Sequence, residues 1–390
     1  MRTFALEFVP RQRVMKRLRL LVAAGALTLI VGLVWAPERV WMNLLLLSFY
    51  ALGLALAGTV FLALLYVSGG AWGTALRRIA EAMATLLPIG GAGLLAVLFF
   101  HPRLYAWANG GHGGEAEPVF RRLWLSLPFF RGRAILFLLL WTLFTWLLLR
   151  ESRRQDADGD PAHLRRSTAI SAGFLIVFGI TFWLASFDWI MSVDRGWAST
   201  IFGMYSFAGM FVAGLSALAL LAVYLRRRKP FDEIITTHHL HDLGKLIFGF
   251  STFWMYLWFS QFMLIWYANL PDETVYFVRR LHGFWAPLFL LNIAMNWALP
   301  FLMLLPRLNK QNPGVLSRVC LVLLAGHWLD YYLMIAPPLQ GPRPLFGLWE
   351  IGLAAGFVGL FGLGFFATLA RAPVVPMKDP FLAESLHYHA

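Results

Sequence analysis

The feature that most limits how this chain can fold is a succession of ten apolar runs, most of them long enough to cross a lipid bilayer. Crossing the hydrocarbon core takes roughly 20 apolar residues of helix. Eight runs are clear, at 18–35, 41–67, 134–149, 168–187, 200–225, 243–268, 283–305 and 345–370. Two are interrupted: 80–100 carries Glu81 at its start and Pro88 inside, and 315–337 carries His327 and Asp330. Both are too apolar for surface loops. The chain therefore reads as an all-α, polytopic membrane protein of about ten transmembrane helices, a single integral membrane domain over 1–390. Charged residues are only 14 % of the chain, where soluble domains carry about a quarter. Little sequence is left for a catalytic domain in water.

Ten spans place both termini on one side. The N-terminus, the even-numbered loops and the tail hold 23 of the 33 Lys and Arg residues, an excess that puts both termini in the cytoplasm. The net charge of +13 comes from short clusters between apolar runs. That is the distribution of topology signals in a bilayer protein, not of a nucleic-acid surface. The first run follows basic residues as a signal peptide does, but it ends in Trp35-Ala36-Pro37-Glu38 without a small-residue cleavage site. It is expected to be retained.

Cys320 is the only cysteine, so the chain cannot by itself ligate an iron–sulfur cluster, a CxxCH haem or a thiolate zinc site. His327 is the only histidine well inside a run, whereas His101, His238, His239, His241 and His282 fall at run ends. A bis-histidine haem needs two at one depth, so none is expected. The expectation is a chain that binds no redox cofactor itself and serves electron transfer, if at all, by binding quinone or moving protons beside a redox partner.

Three connecting regions stand out. The loop at 101–133 joins the run Gly110-Gly111-His112-Gly113-Gly114 to an aromatic, basic stretch, which reads either as an interfacial segment or as a flexible linker. The loop at 150–166 is charged and reads as solvated. The tail at 371–390 has three prolines and no helical period, so it reads as an extended strap.

Ionisable residues within a bilayer are costly and normally face a bundle interior or a water path. In the seventh run His238, Asp242, Lys245, Gly249, Thr252, Tyr256 and Ser260 recur every three or four residues and so form one stripe. Such a stripe can seed a water wire with titratable groups, His241 among them, at its mouth. Equally, Asp242 and Lys245 can form a simple i, i+3 pair near the interface. The ninth run places His327, Asp330 and Tyr331 toward one neighbour. A carboxylate against an imidazole can pass a proton or bond a quinone head group, or it can be a structural bond between helices. Asn292 and Asn296, four apart in the eighth run, read as interhelical glue. Between the fifth and sixth runs, Asp188 and Asp194 sit among Trp189, Arg195 and Trp197. They suit either the outer end of a proton path or ordinary capping and salt-bridge roles.

Taken together, these residues resemble a known family. The segment Phe187-Asp188-Trp189-Ile190-Met191-Ser192, continuing through Trp197-Ala198-Ser199-Thr200-Ile201-Phe202-Gly203, is similar to the F subunit of bacterial alternative complex III. That subunit is a relative of the NrfD and polysulfide-reductase membrane subunits. So are His241-Asp242-Leu243-Gly244-Lys245-Leu246 with Phe253-Trp254, Tyr256 and Gln261, then Tyr267-Ala268-Asn269-Leu270-Pro271, His327-Trp328-Leu329-Asp330-Tyr331-Tyr332, and the tail's Asp379-Pro380 with Glu384-Ser385-Leu386. The likeness covers most of 187–390 and is weak before it, and Arg195-Gly196 departs from the proline-containing turn of the family.

The resemblance implies two four-helix bundles, helices two to five at about 41–187 and six to nine at about 200–337, flanked by the first and tenth. It implies a place in a bacterial inner membrane beside a homologous quinol-oxidising membrane subunit. An iron–sulfur subunit and cytochrome c subunits, carrying the clusters and haem c, would sit on the outer face. It also implies proton half-channels, for which the seventh-run stripe and the outer carboxylates are the candidates. Two other classes stand against this. A secondary transporter predicts inverted repeats with paired broken helices. Pro88 and Pro300 interrupt runs, but the stripe has no clear counterpart in the first half. A membrane-embedded transferase wants a carboxylate and histidine cluster at one interface, met only loosely by His238, His239, His241 and Asp242.

Overall fold

The computed structural model describes residues 8–109, 119–194 and 196–389. The glycine run at 110–114 and Arg195 lie outside the described residues. Among the described residues there is no strand. Nine helices among the described residues are long and apolar enough to cross a membrane: α1 (Gln12–Trp35), α2 (Pro37–Ser68), α3 (Ala71–Phe100), α4 (Leu127–Asp158), α5 (Ala162–Trp189), α6 (Phe202–Arg226), α8 (Gly283–Leu304), α9 (Pro313–Gln340) and α10 (Leu348–Leu369). Between α6 and α8 runs α7 (Thr237–Ala268), as long as α2. It falls outside that set because Ser251, Thr252, Tyr256, Ser260 and Gln261 dilute its apolar run. The chain is thus an all-α, multi-pass membrane protein.

The distribution of side chains is that of a protein dissolved in lipid. Ile176, Ile180, Leu139 and Leu302 are exposed, while Arg77, Arg78, Glu81 and Arg280 are buried. In hydrocarbon an exposed isoleucine costs nothing, whereas an exposed charge has no water to solvate it. Helices α2, α3, α4 and α5 pack in a ring, each on the next and α5 back on α2. Helices α6, α7, α8 and α9 close a second ring in the same way, and α2 and α5 lie against α6. The pair α1 and α10 packs on itself and on α2.

Glycine makes the closest of these contacts possible. A Cβ on Gly25 of α1 would fall 2.3 Å from Gly356 Cα of α10, and one on Gly214 of α6 would fall 1.9 Å from Ala57 Cβ of α2. Lipid tails compete equally well for apolar side chains, so helix association in membranes relies on such close backbone approach.

Several elements extend past their expected bounds. The stretch at 150–166 is mostly helical: α4 continues to Asp158, α5 starts at Ala162, and Glu151, Ser152, Gln155 and His163 are buried, while Arg154, Asp158, Asp160, Arg165 and Arg166 are exposed as a solvated segment would have them. The buried charges are paired. His163 bridges Glu151 at 2.7 Å and Asp158 at 3.0 Å, and the Ser152 hydroxyl donates to Glu81 at 2.6 Å. The α3 span starts at Ala71 and is broken at Thr85–Leu86, just before Pro88, whose missing N–H leaves the Ala84 carbonyl without its helical donor. The stretch after the glycine run is helical at Val119–Trp124, and the tail holds a short helix, Leu382–Leu386, in place of a fully extended strap.

Replacing Gly356 by leucine should destabilise the full chain by about 1–3 kcal/mol by forcing α10 off α1. Gly179→Leu is the control, since nothing lies within 4 Å of a Cβ there. Unfolding in detergent measured on both variants checks this; equal losses would show that the α1–α10 contact is not what is being probed.

Candidate functional site

The site is built on α9, and the geometry of α9 begins with two prolines. Pro337 and Pro338 lie inside the helix. Neither has an N–H, so the carbonyls of Leu333 and Met334, four residues earlier, lose their helical donors. Arg280 replaces both. It stands in the short helix Pro271–Leu281 between α7 and α8, fully buried, and donates from Nε to Leu333 O at 2.8 Å and from Nη2 to Met334 O at 3.2 Å. Its Nη1 donates to Tyr276 O at 2.8 Å, and its Cζ lies 3.4 Å from the centre of the Tyr276 ring. One guanidinium thus completes a helix end that the sequence leaves open.

One turn below, Asp330 collects three donors from three other helices. The Tyr205 hydroxyl of α6 donates to Oδ1 at 2.5 Å, Asn292 Nδ2 of α8 donates to Oδ1 at 2.9 Å, and Trp254 Nε1 of α7 donates to Oδ2 at 3.3 Å. Asn296 Nδ2 supports Asn292 Oδ1 at 2.7 Å. Asn296 lies within a π-helical stretch, Ala294–Ala298, and Asn292 just before it. Pro300 follows it and cannot donate to the Asn296 carbonyl. Wider turns of this kind recur at functional positions.

His327, one turn further along α9, is fully buried, and neither ring nitrogen has a hydrogen-bond partner among the described residues. Its ring meets Trp254 edge-on with centroids 5.6 Å apart. Gly209 of α6 leaves room beside it: a Cβ there would sit 3.4 Å from His327 Nδ1. Tyr331 is buried too, its hydroxyl unbonded and its ring edge-on to Phe49. Buried polar groups are nearly always bonded to protein or water. A fully buried imidazole with two open nitrogens, three residues from a buried carboxylate, is therefore suited to hold water and pass protons.

Seven Asp and Glu residues are buried among the described residues: Glu81, Glu151, Asp188, Asp242, Asp330, Glu350 and Asp379. Six of them face a cation within 4 Å: Glu81 faces Arg78, Glu151 faces His163, Asp188 faces Arg133, Asp242 faces Lys245, Glu350 faces Arg39 and Asp379 faces Arg77. Asp330 is held by neutral donors alone. A carboxylate locked to an arginine cannot change protonation without stranding a buried charge. Asp330 has no cation within 4 Å among the described residues that a change of protonation would leave unpaired.

The structure distributes the other sequence candidates over separate places. Asp188 sits at the end of α5, bonded to Arg133 Nε at 2.9 Å, Arg133 Nη2 at 3.0 Å and Trp124 Nε1 at 2.9 Å. Asp194 pairs with Arg279 at 2.9 Å. Asp242 pairs with Lys245 and lies 3.9 Å from His241 Nδ1. The tail covers this corner. Tyr388 bonds Asp242, and that carboxylate pushes the phenol up to about 12, while the His238 ring lies edge-on to His389. Beyond Asp242 the stripe turns away from the helix interior: Lys245, Gly249 and Tyr256 are exposed, and the half-buried Thr252 spends its hydroxyl on Phe248 O. The buried face of α7 carries Ser251 and Trp254 instead.

His239, one position past His238, joins the tail to α7. Its Nδ1 accepts from the Thr236 N–H at 3.0 Å, which leaves Nε2 to donate to Ser385 Oγ at 3.3 Å. Ser385 in turn donates to Trp72 O at 2.8 Å and accepts from Ala75 N at 3.1 Å. Burial drives the imidazole down to about 4, so it stays neutral here, ahead of the apolar segment of α7.

No family model matches the chain, and no curated protein matches it either. Among the described residues no group of three or more His, Cys, Asp or Glu side chains is arranged to hold a metal ion.

Arg280→Met should cost about 2–4 kcal/mol, because it leaves two buried carbonyls without donors. Adding Pro337→Ala and Pro338→Ala in the same chain restores two backbone N–H groups and should recover most of that loss. Thermal unfolding of the full chain in detergent tests this. No recovery would show that Arg280 acts through something other than the two carbonyls.

Proposed function

We propose that this chain is a proton-conducting and assembly subunit of a bacterial respiratory quinol:electron-acceptor oxidoreductase, akin to the F subunit of alternative complex III. The observation that carries the reading is Asp330, a buried carboxyl held only by neutral donors beside an imidazole with two open nitrogens. The residues around it, His327 to Tyr332 on α9 and Trp254 on α7, belong to the segments that resemble that family. Two closed rings of four helices with α1 and α10 beside them agree with its two bundles. In this reading α7 also crosses the membrane, making ten spans, both termini are cytoplasmic, and α9 rises from the cytoplasmic side so that Asp330 lies in its outer half.

The route has hydroxyl groups to draw on. Ser206 and Ser216 share a face of α6 with Gly209, and Ser251 lies one turn from Trp254 on α7; all three are buried with unbonded hydroxyls. Water held among these serines and His327 would hand a proton to Asp330, and Tyr205 would relay it toward the outer face. Electrons would pass through partner subunits carrying haem c and iron–sulfur clusters, with quinol oxidised on a homologous membrane subunit.

Asp330→Asn keeps the shape, leaves Oδ1 to accept from Tyr205 and Asn292 at the cost of the longer Trp254 bond, and removes the titration. In the native assembly it should leave quinol oxidation near the wild-type rate and lower the protons released per electron in vesicles. Unchanged proton release would contradict the relay. Purification from native membranes should recover the chain with subunits containing haem c and iron–sulfur clusters. Recovery of the chain with no redox partner would contradict the respiratory assignment.

A further inference from the structure

Helix α7 turns a polar face away from its own bundle. Ile247, Ser251, Trp254, Trp258 and Ile265 are buried against its neighbours. On the opposite side of the helix, Lys245, Gly249, Thr252, Tyr256 and Ser260 fall within one narrow stripe. Tyr256 stands eleven residues from both Lys245 and Tyr267. At the helical rise that is about 17 Å each way, which puts Tyr256 near the middle of a hydrocarbon core.

Tyr256 is 63 % exposed, and its hydroxyl bonds nothing among the described residues. At that depth neither water nor lipid head groups reach it, and an unbonded O–H in hydrocarbon is costly. The exposed side chains near the middle of other spans suit lipid by contrast: Leu27 on α1, Leu139 on α4, Ile176 on α5 and Val358 on α10. Beside Tyr256 the backbone itself is open, since nothing lies within 4 Å of a Cβ on Gly249. Further along, the stripe runs into a stretch, 266–272, in which every residue is exposed, Tyr267 at 86 %. The last turn of α7 is therefore bare on most of its circumference.

The two ends of the stripe differ in charge. At one end Lys245 pairs with Asp242, and Lys310, packed on Gly244, bonds only the Leu304 and Leu305 carbonyls. At the other, Asp272 and Glu273 open the helix Pro271–Leu281, and neither is ion-paired among the described residues. A second copy of this chain, related by a two-fold axis along the membrane normal, sets lysine against lysine and carboxylate against carboxylate. A quinone can accept from Tyr256 but brings no charge to either end.

We infer that this face docks against a transmembrane helix of a different polypeptide. That helix carries a carboxylate near Lys245 and Lys310, a cation near Asp272, and a hydrogen-bonding group at mid-depth for Tyr256. The inference needs α7 to cross the membrane, and it rests neither on the proton relay nor on the respiratory assignment.

Photo-crosslinking in native membranes tests it, with p-benzoylphenylalanine in place of Tyr256 and, as a control, of Ile176. The first position should yield an adduct with one other polypeptide, joined through a peptide of a transmembrane helix, and the second should not. Gly249→Leu adds bulk where the chain itself has room. It should cut recovery of that partner with the purified chain roughly tenfold at an unchanged melting temperature of the full chain in detergent. Gly179→Leu, equally open on α5, should leave recovery intact. If Gly249→Leu lowers the melting temperature, the adducts at 256 decide. A transmembrane partner without redox groups supports this inference and contradicts the respiratory assignment alone. Adducts at 256 confined to lipid, a quinone, a soluble protein or a second copy of this chain overturn it, as does equal recovery of the partner by two well-folded variants.

Discussion

In a bilayer no water waits to bond a carbonyl that its own helix leaves open, and this constraint organises the second ring of helices. Pro337 and Pro338 open α9 at Leu333 and Met334, and Arg280 closes it from another helix. That single side chain fixes the end of α9 one turn from Asp330. It also ties α9 to the segment between α7 and α8, the two helices that supply Trp254 and Asn292. The polar centre therefore depends on a backbone repair. Without it, the helix bearing Asp330 would have to unwind toward water or find other donors.

The buried charges fall into two kinds. In the first ring and at the helix ends, arginines neutralise carboxylates through several bonds at once, as Arg78 does with Glu81 and Asp156, and Arg39 with Glu350. Such pairs cost desolvation on both sides and are strongly harmful to break, so they act as fixed struts. The tail belongs with them, since Asp379 pairs with Arg77 and Ser385 reaches both α7 and the start of α3. Asp330 is of the other kind. Its bonds come from a phenol, an amide and an indole, none of which is stranded when a proton arrives or leaves.

Much of this was legible in the sequence. Apolar run length located the nine helices that qualify as spans among the described residues, apart from their polar extensions, and the placing of His327 with Asp330 within one run marked them as one candidate pair beside the seventh-run stripe. What the sequence could not show is who meets Asp330. Tyr205, Trp254 and Asn292 come from three separate helices, and no local spacing signals their convergence, although Asn292 and Asn296 stood out as polar residues four apart. Nothing in its own neighbourhood in the sequence marks Arg280; its signal is the distant Pro337-Pro338 pair, which implies a missing pair of donors. Periodicity found the stripe from Asp242 to Ser260 but not which way it faces. A helix has two long faces, and Trp254 with Ser251 occupies the buried one. The stretch at 150–166 misled because charge reads as solvation, whereas here Glu151 and Asp158 both meet the buried His163 and Ser152 bonds Glu81, and only part of the stretch is left exposed.

The central claim is that Asp330 exchanges a proton inside the membrane. Infrared difference spectroscopy on the full chain in lipid, recorded as pH is stepped, tests it most directly. The account predicts a carboxylic C=O band that shifts in heavy water, changes with pH and disappears in Asp330→Asn. A spectrum in which no carboxyl band depends on Asp330 at any pH where the chain stays folded would contradict it.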